Sequence, residues 1–252
     1  MQKISILGCG WLGKPLAIAL LKEGHIVKGS TTSLEKINEL RSIGILPSVI
    51  NIKHTEGYLD FLQSTILIIS ITCKDVTAFK KLMSYIEKSS IKKIIFISST
   101  SVYNRNNKII TEEDAVLQTP LIEIENLFRN STYFKSTILR FSGLYGEERH
   151  PANWFKDRKI PQPNGFVNMI HLTDCIEIIK KIIAADYWNT TLNACCNHHP
   201  TRREFYTAAK KSKGLPMPLF EENDVYEWKI ISSQKLQNIL EYTFIYDNLL
   251  QF

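Results

Sequence analysis

The sequence KISIL at Lys3–Leu7, followed by GCGWLG at Gly8–Gly13 and KPLAIALL at residues 14–21, decides the fold class. The first stretch predicts a strand and the third an amphipathic helix. Between them stands G-x-G-x-x-G, in which Gly8 makes a tight turn, Gly10 lets a pyrophosphate approach the main chain, and Gly13 lets the helix pack closely. The helix N-terminus adds a partial positive charge. This context predicts a dinucleotide site; the alternative is a glycine-rich turn that binds nothing.

Composition limits the class of protein. Of 252 residues, 44% are hydrophobic and 22% are charged, as in ordinary globular proteins. No apolar run approaches the roughly 18 residues that span a bilayer, so we expect no membrane partner. The net charge of +6 is dispersed, which argues against a nucleic-acid partner. Five cysteines without C-x-x-C spacing predict reduced thiols and a cytoplasmic protein.

Strand-like and helix-like segments alternate through the first 146 residues. After the opening strand, we predict strands over 25–30, 47–51, 65–71, 93–98 and 136–141, and helices over 34–40, 76–86 and 122–128. This alternation predicts an α/β fold, a Rossmann-type doubly wound parallel sheet. Ligands of such sheets lie beyond the carboxyl ends of the strands. The residues that follow each predicted strand are therefore the candidate binding residues.

The pattern becomes irregular after residue 146, where prolines and glycines mark loops. Residues 173–185 predict a helix that returns to the sheet. We predict an NAD(P)-binding Rossmann domain over residues 1–146 plus about 168–193. A small mixed α/β lobe on the substrate side is predicted over about 147–167 and 194–252.

The end of the second predicted strand bears on the choice of nicotinamide cofactor. An NAD site usually has Asp or Glu here to bind the ribose 2′-hydroxyl. This chain has Ser30, Thr31, Thr32 and Ser33 instead, with Lys36 close behind and no arginine at the turn. Hydroxyls and a lysine suit a 2′-phosphate, so the prediction is NADP(H) rather than NAD(H). Ser33 is also a candidate N-cap of the following helix.

Three further stretches carry a resemblance: ISSTSVY at residues 97–103, LRFSGLYG at 139–146 and NMIHLTD at 168–174. With the glycine motif, they resemble, in order, the motifs of extended short-chain dehydrogenase/reductases, the superfamily of nucleotide-sugar epimerases and dehydratases. The run from 193 to 216 is similar to that of the small, atypical, NAD-dependent epimerase/dehydratase-like members. The resemblance covers nearly the whole chain. It implies a nicotinamide dinucleotide and a small-molecule substrate, such as a sugar or sugar nucleotide.

Strand ends and the resemblance together give a set of predicted cofactor contacts. Ser98 and Ser99 are expected near the nicotinamide, with 141–143 opposite. The full set is Gly8, Gly10, Trp11, Leu12, Gly13, Thr31, Thr32, Ser33, Ser70, Ile71, Thr72, Ser98, Ser99, Phe141, Ser142 and Gly143.

One part of the family pattern is missing. The catalytic pair that the resemblance implies is Tyr-x-x-x-Lys on the helix after the Ser/Thr motif, where the tyrosine transfers a proton. If Glu125 matches the glutamate that often follows the pair, Leu117 and Leu121 hold the tyrosine and lysine positions. Neither leucine can move a proton. Tyr206 and Lys210 have the right spacing, but we interpret them as a coincidence on a C-terminal amphipathic helix.

Other residues are therefore candidates for catalysis. Ser99 corresponds to the family residue that hydrogen-bonds the substrate oxygen. Tyr103, Tyr145 and His171 are candidate proton donors because each lies on a motif expected near the cofactor. Residues 100–101 carry hydroxyls where dehydratase members have acids, which argues against dehydration.

His171 and the residues near it also have structural interpretations. His171 can hold structure, and Asp174 can cap the following helix. The Cys195–His199 segment, CCNHH, suits a metal poorly, because neighbours on a strand point to opposite faces. We therefore predict no metal site.

The sequence predicts an NAD(P)-binding oxidoreductase or sugar-nucleotide epimerase-like enzyme with a non-standard proton donor and an unidentified substrate. A catalytically silent NADP(H)-binding sensor or scaffold is the alternative, and a structural relic is a third. The family often pairs through two helices, one of which is the altered segment, so a monomer or a homodimer is expected.

Overall fold

The computed structural model describes residues 1–54, 57–156, 158–222 and 227–252. Its strands are β1 (Lys3–Leu7), β2 (Ile26–Thr31), β3 (Leu46–Val49), β4 (Ile66–Ile69), β5 (Lys93–Ser99), β6 (Lys108–Ile110), β7 (Lys135–Phe141), β8 (Gly143–Tyr145), β9 (Met169–His171), β10 (Thr190–Ala194) and β11 (Lys229–Ile231). Its helices are α1 (Gly13–Lys22), α2 (Lys36–Ser42), α3 (Tyr58–Phe61), α4 (Val76–Ile86), α5 (Pro120–Arg129), α6 (Leu172–Ala184), α7 (Arg202–Ser212) and α8 (Gln234–Leu240).

A seven-stranded sheet in the order β10-β7-β5-β4-β1-β2-β3 forms the centre of the fold. β1 pairs parallel with both β2 and β4, β2 with β3, and β4 with β5. Helices connect these strands, as parallel neighbours require. The strand order reverses between β1 and β4. The predicted Rossmann-type α/β fold is therefore confirmed.

The central strands are apolar because both faces of the sheet are covered. Ile4, Ile6 and all four residues of β4 are fully buried. An aromatic cluster packs on the sheet, where Phe79, Phe96 and Phe128 have ring centroids 4.9 to 6.0 Å apart. This cluster packs α4, β5 and α5 against one another.

Side-chain caps set several helix starts. Asp75 accepts a hydrogen bond from Ala78 N at the start of α4, and Thr119 accepts one from Ile122 N at α5. The prediction that Ser33 caps α2 is wrong, because that helix begins at Lys36 without a side-chain cap. Ser33 N instead donates to Thr31 Oγ1, at 3.1 Å, in the turn before the helix.

The described chain divides into two compact units. Unit 1 comprises residues 1–98, 118–139 and 179–191, and unit 2 comprises 99–117, 140–178 and 192–252. The predicted domain division differs in placing 99–117, 140–146 and 168–178 with the dinucleotide-binding residues. Within unit 2 these segments contact the C-terminal part of the chain. Residue 157 and residues 223–226 of the predicted lobe lie outside the described residues.

Two small parallel pairs, β6 with β11 and β8 with β9, belong to unit 2 and were not predicted. Each strand has three residues, too few for a periodic signal. Within the described ranges, no helix is long and apolar enough to cross a membrane.

Candidate functional site

The glycine motif follows β1 in unit 1, at the reversal of strand order where α/β proteins bind ligands. Two of its glycines are required by the fold. Gly8 has φ +101°, and a Cβ there would lie 2.6 Å from Ser70 O. A Cβ on Gly13 would lie 2.1 Å from Gly8 O, so only glycine lets α1 begin against the strand end.

Gly10 differs from both. Its φ is not in the left-handed region, and an added Cβ would meet nothing within 4 Å. Neither backbone conformation nor packing therefore requires glycine at this position. The space left beside the main chain is what a closely approaching pyrophosphate needs. The residues present thus fit a dinucleotide.

The N-terminus of helix α1 favours the binding of an anion. Leu12 is its N-cap residue and makes no side-chain cap, and no acidic residue lies in the first turn. The partial positive charge of the helix N-terminus is therefore not offset by a carboxylate of that turn. Leu12 is buried and Trp11 is half-buried beside it. This arrangement favours an anionic group next to Gly10.

Ser30 of β2 fastens the start of the loop. Gly8 N donates to Ser30 Oγ at 2.9 Å, and Cys9 N donates to Ser30 O at 2.7 Å. The Cys9 side chain is buried, and burial raises the pKa of its thiol to about 12. Cys9 therefore stays protonated at neutral pH and is no nucleophile.

The end of β2 presents hydroxyls, as the sequence indicated. Thr31 and Ser33 are half-buried, and Thr32 and Lys36 are exposed. Residues 30–33 contain no carboxylate that would face a 2′-hydroxyl or repel a 2′-phosphate.

Ser70 and Ile71, after β4, are half-buried beside the loop, and Thr72 is exposed. At the end of β5, Ser98 is buried and donates from Oγ to Glu125 Oε1 at 2.6 Å. The Ser98 hydroxyl is thus directed toward α5.

Glu125 is a site-supporting residue whose role the sequence did not predict. Its side chain is fully buried and also accepts a bond from Arg129 at 3.0 Å, one turn later. Its position on the otherwise apolar face of the helix, six residues after the Thr119 cap, was the available signal. Glu125 fixes the end of β5 to α5.

Helix α5 contains neither tyrosine nor lysine. Leu117 lies before the helix and is exposed, whereas Leu121 is buried in its first turn. Tyr206 and Lys210 are both buried on α7 in unit 2, where the sequence interpretation placed them. The family's pair is thus not supplied by α5.

In unit 2, Tyr103 belongs to a buried polar network. Its hydroxyl donates to Asn193 Oδ1 at 3.0 Å and accepts from Arg140 Nη1 at 2.6 Å. The Arg140 guanidinium also lies 4.9 Å from the centre of the Tyr103 ring. Burial raises the pKa of Tyr103, while Arg140 opposes the rise. Glu112 joins the network by accepting a bond from Asn193 N at 2.6 Å.

Tyr145 and His171, two other candidate proton donors, lie together. Their ring centroids are 5.1 Å apart, and Tyr246 stacks on the imidazole at 3.7 Å. His171 Nδ1 accepts a bond from Thr173 N, which places the proton of the neutral ring on Nε2. Burial lowers the pKa of His171 and raises that of Tyr145. At neutral pH the imidazole is therefore an uncharged donor.

The other predicted residues of unit 2 lie near strand ends. Ser99 is half-buried and its Oγ accepts a bond from Ser101 N at 3.1 Å. Phe141 and Ser142 are buried, and Gly143 is exposed, with a Cβ there lying 2.5 Å from Met169 Sδ. Their predicted cofactor contacts stay predictions.

The prediction that Asp174 caps α6 is wrong. The fully buried carboxylate accepts three bonds from the C-terminal segment, from Tyr242 Oη at 2.7 Å, Ile245 N at 2.7 Å and Tyr246 N at 3.1 Å. An acidic residue in a first helical turn ordinarily signals a helix end, and nothing local points to a partner about 70 residues away. Asp174 therefore anchors the C-terminal segment.

The Cys195–His199 segment follows β10. Cys195 and Cys196 are buried, and their thiols contact the carbonyls of Met169 and His198. Among the residues that the structure describes, no group of three or more His, Cys, Asp or Glu side chains is arranged to hold a metal ion.

Comparisons with known proteins extend these observations. No family model matches the chain. It is 29% identical to Protein YeeZ of Escherichia coli K12, over 98% of this chain and 97% of that protein.

Solved structures with the same fold include a conserved protein of unknown function from Silicibacter pomeroyi (TM-score 0.83, 18% identity, 99% and 96% of the two chains). A UDP-glucuronic acid 4-epimerase from Bacillus cereus in complex with NAD matches with TM-score 0.80 and 17% identity over 98% and 95%. A short-chain dehydrogenase/reductase superfamily protein from Agrobacterium tumefaciens with bound NAD matches with TM-score 0.81 and 14% identity over 99% and 95%. At these identities the likeness establishes the fold: the chain has the Rossmann-type α/β fold of these NAD-bound epimerase and dehydrogenase/reductase structures.

Proposed function

We propose that the loop from Gly8 to Gly13 binds a nicotinamide dinucleotide by its pyrophosphate. The observation that carries this proposal is Gly10, the glycine of the motif that the fold itself does not require. The N-terminus of α1, whose first turn contains no acidic residue, supports it, because a helix N-terminus attracts phosphate. That structures of the same fold hold NAD is consistent with it.

We propose NADP(H) as the preferred cofactor. Thr31, Thr32 and Ser33 offer hydroxyl groups, and the exposed Lys36 offers a positive charge, where NAD-binding proteins usually carry an acidic residue. These hydroxyl groups and the lysine charge would stabilise a bound 2′-phosphate, whereas a 2′-hydroxyl would lack its usual carboxylate partner.

We propose that the protein is an oxidoreductase or a sugar-nucleotide epimerase-like enzyme. The bound nicotinamide supplies hydride transfer. Ser99 is the candidate hydrogen-bond donor to a substrate oxygen, and Tyr103, Tyr145 and His171 are the candidate proton donors. Of these three, His171 has a donor that the structure defines. Its Nδ1 accepts a bond from Thr173 N, so the proton of the neutral imidazole is on Nε2. The substrate class is a small molecule such as a sugar or sugar nucleotide.

A second candidate function is binding of NADP(H) without turnover, as a sensor or scaffold. It is favoured by the absence of tyrosine and lysine from α5 and by the buried network that engages the Tyr103 hydroxyl. In that case the candidate proton donors have structural roles.

Titration of the purified protein with NADPH and, separately, NADH, followed by nicotinamide fluorescence, tests cofactor binding. We expect NADPH to bind at least about tenfold more tightly than NADH, a difference of about 1.4 kcal/mol. Tighter binding of NADH would contradict the NADP(H) preference. Folded protein that binds neither would contradict the proposal as a whole.

Activity of the wild type in a substrate screen separates turnover from silent binding, and the variant Tyr103→Phe then tests Tyr103 as the proton donor. It removes one hydroxyl from a buried network and keeps the ring that contacts Arg140. If Tyr103 donates a proton, reductase or epimerase activity found in a substrate screen is lost while NADPH affinity is kept. Equal activity of Tyr103→Phe and the wild type excludes Tyr103 as the donor, and His171→Asn is then the next variant.

A further inference from the structure

The positive charge of the chain is dispersed along the sequence, but in unit 2 the fold brings two basic segments together. Residues 149–159 contain four Lys or Arg residues against one Asp, and residues 202–213 contain five against one Glu. The net charge of the two segments is therefore +7, whereas that of the whole chain is +6. The segments pack against each other, because helix α7 contacts the 3₁₀ turn Pro151–Asn153. The net positive charge of the chain thus lies in two neighbouring segments of unit 2.

Aromatic side chains connect these two segments. Trp154 and Phe155 are half-buried, and their ring centroids lie 6.4 and 5.2 Å from the ring centroid of Tyr206 on α7. The Arg158 guanidinium lies 5.8 Å from the centre of the Phe155 ring. Part of each half-buried ring is therefore open to solvent, and the Phe155 ring lies beside a positive charge.

One face of α7 presents two cations beside these rings. Arg202, Tyr206 and Lys210 are spaced by four residues, so they share this face. Lys210 is only 8% exposed, and among the described residues its ammonium group forms no hydrogen bond or ion pair. Arg202 Nε is also buried without a hydrogen-bond partner in the described part of the chain. Buried cations without an anion are unfavourable, so this face favours a negatively charged ligand.

We propose that the surface formed by Trp154, Phe155, Arg158, Tyr206 and Lys210 binds single-stranded nucleic acid. A phosphodiester backbone supplies the negative charges, and unpaired bases stack on half-exposed aromatic rings. An arginine next to a ring adds a cation–π contribution.

The combination of rings and cations favours a single strand over other polyanions. A double helix keeps the faces of its bases stacked on one another, so it would contact the cations and leave the rings without partners. An acidic polypeptide would likewise contact the cations alone. The proposal is independent of the dinucleotide proposal, because the glycine loop belongs to unit 1.

Fluorescence anisotropy of a labelled 12-nucleotide oligothymidylate, titrated with the full-length protein, tests this proposal. We expect Phe155→Leu, Arg158→Met and Lys210→Met each to raise the Kd by about fivefold or more. Lys211→Met is the matched control, since Lys211 is an exposed cation on another face of α7, and its Kd should stay within about twofold of the wild type.

The dependence of the Kd on salt separates phosphate contacts from a structural role. Loss of one phosphate-contacting cation lowers the slope of log Kd against log salt concentration by about 0.7 for a single strand. We expect this change in Arg158→Met and Lys210→Met. Phe155→Leu should bind more weakly with the slope of the wild type, because it removes stacking and no charge.

Folded wild-type protein that does not bind the oligothymidylate overturns the proposal, as does an equal loss of affinity in Lys211→Met. Equal affinity for a 12-base-pair duplex or for polyglutamate shows that the surface recognises charge alone, and this result also overturns it. If Lys210→Met does not fold, Arg158→Met, which changes an exposed side chain, still decides.

Discussion

At the scale of single residues, the three glycines of the motif have different reasons to be glycine. Gly8 has a left-handed backbone conformation, and Gly13 leaves room for Gly8 O. Both would be needed in a protein that bound nothing. Gly10 has no such internal reason, so it is the glycine that points to a ligand. Such a motif therefore indicates a ligand only through a glycine that neither the backbone conformation nor the packing of the fold requires.

Glu125 is the residue whose removal should cost most around the end of β5. Glu125→Ala leaves Ser98 Oγ and Arg129 without this carboxylate, in a position that is fully buried. We expect a loss of about 2–4 kcal/mol in the free energy of unfolding, measured by urea denaturation. Glu123→Ala, on an exposed position of the same helix, is the control and should change stability by less than about 0.5 kcal/mol. Equal losses in the two variants would show that the buried bonds contribute nothing.

At the scale of elements, helix α6 and the C-terminal segment are joined through one carboxylate. Asp174 accepts bonds from Tyr242, Ile245 and Tyr246, and the ring of Tyr246 also stacks on His171. The last residues of the chain are therefore part of the folded unit 2.

Asp174→Asn should loosen this attachment, because one acceptor oxygen becomes an amide that can only donate. We expect a loss of about 1–3 kcal/mol in the free energy of unfolding and faster amide exchange at residues 245–246. Tyr242→Phe removes one of the three bonds. It should lose less free energy of unfolding than Asp174→Asn, and amide exchange at residues 245–246 should be slower than in Asp174→Asn. Exchange at 245–246 that is unchanged in Asp174→Asn would contradict the anchoring role.

At the scale of the whole molecule, the fold could be predicted from the sequence because its signals are local. β4 is apolar throughout since both its faces are covered, and α4 spans the residues that its spacing predicts, Val76–Ile86. The glycine motif could be predicted for the same reason, since strand, turn and helix are contiguous in the chain.

Contacts between distant segments could not be predicted in this way. Lys229 meets Thr100 across 129 positions, and Asp174 meets Tyr246 across 72. No sequence pattern around Lys229 or Asp174 indicates which distant residue it contacts. The Ser33 cap was mispredicted for a different, local reason: Ser33 N donates to the Thr31 hydroxyl in the turn, and the helix begins only at Lys36.

The space beside Gly10 is proposed to take the pyrophosphate of a dinucleotide, and the variant Gly10→Val fills that space. The measurement is NADPH affinity by nicotinamide fluorescence, with the free energy of unfolding by urea denaturation on the same sample. We expect the NADPH affinity to fall by about tenfold or more, while the free energy of unfolding stays within about 1 kcal/mol of the wild type, since a Cβ there meets no atom within 4 Å. Gly8→Ala is the contrasting control and should lose about 1–3 kcal/mol of stability. Folded Gly10→Val that binds NADPH as the wild type does would contradict the claim.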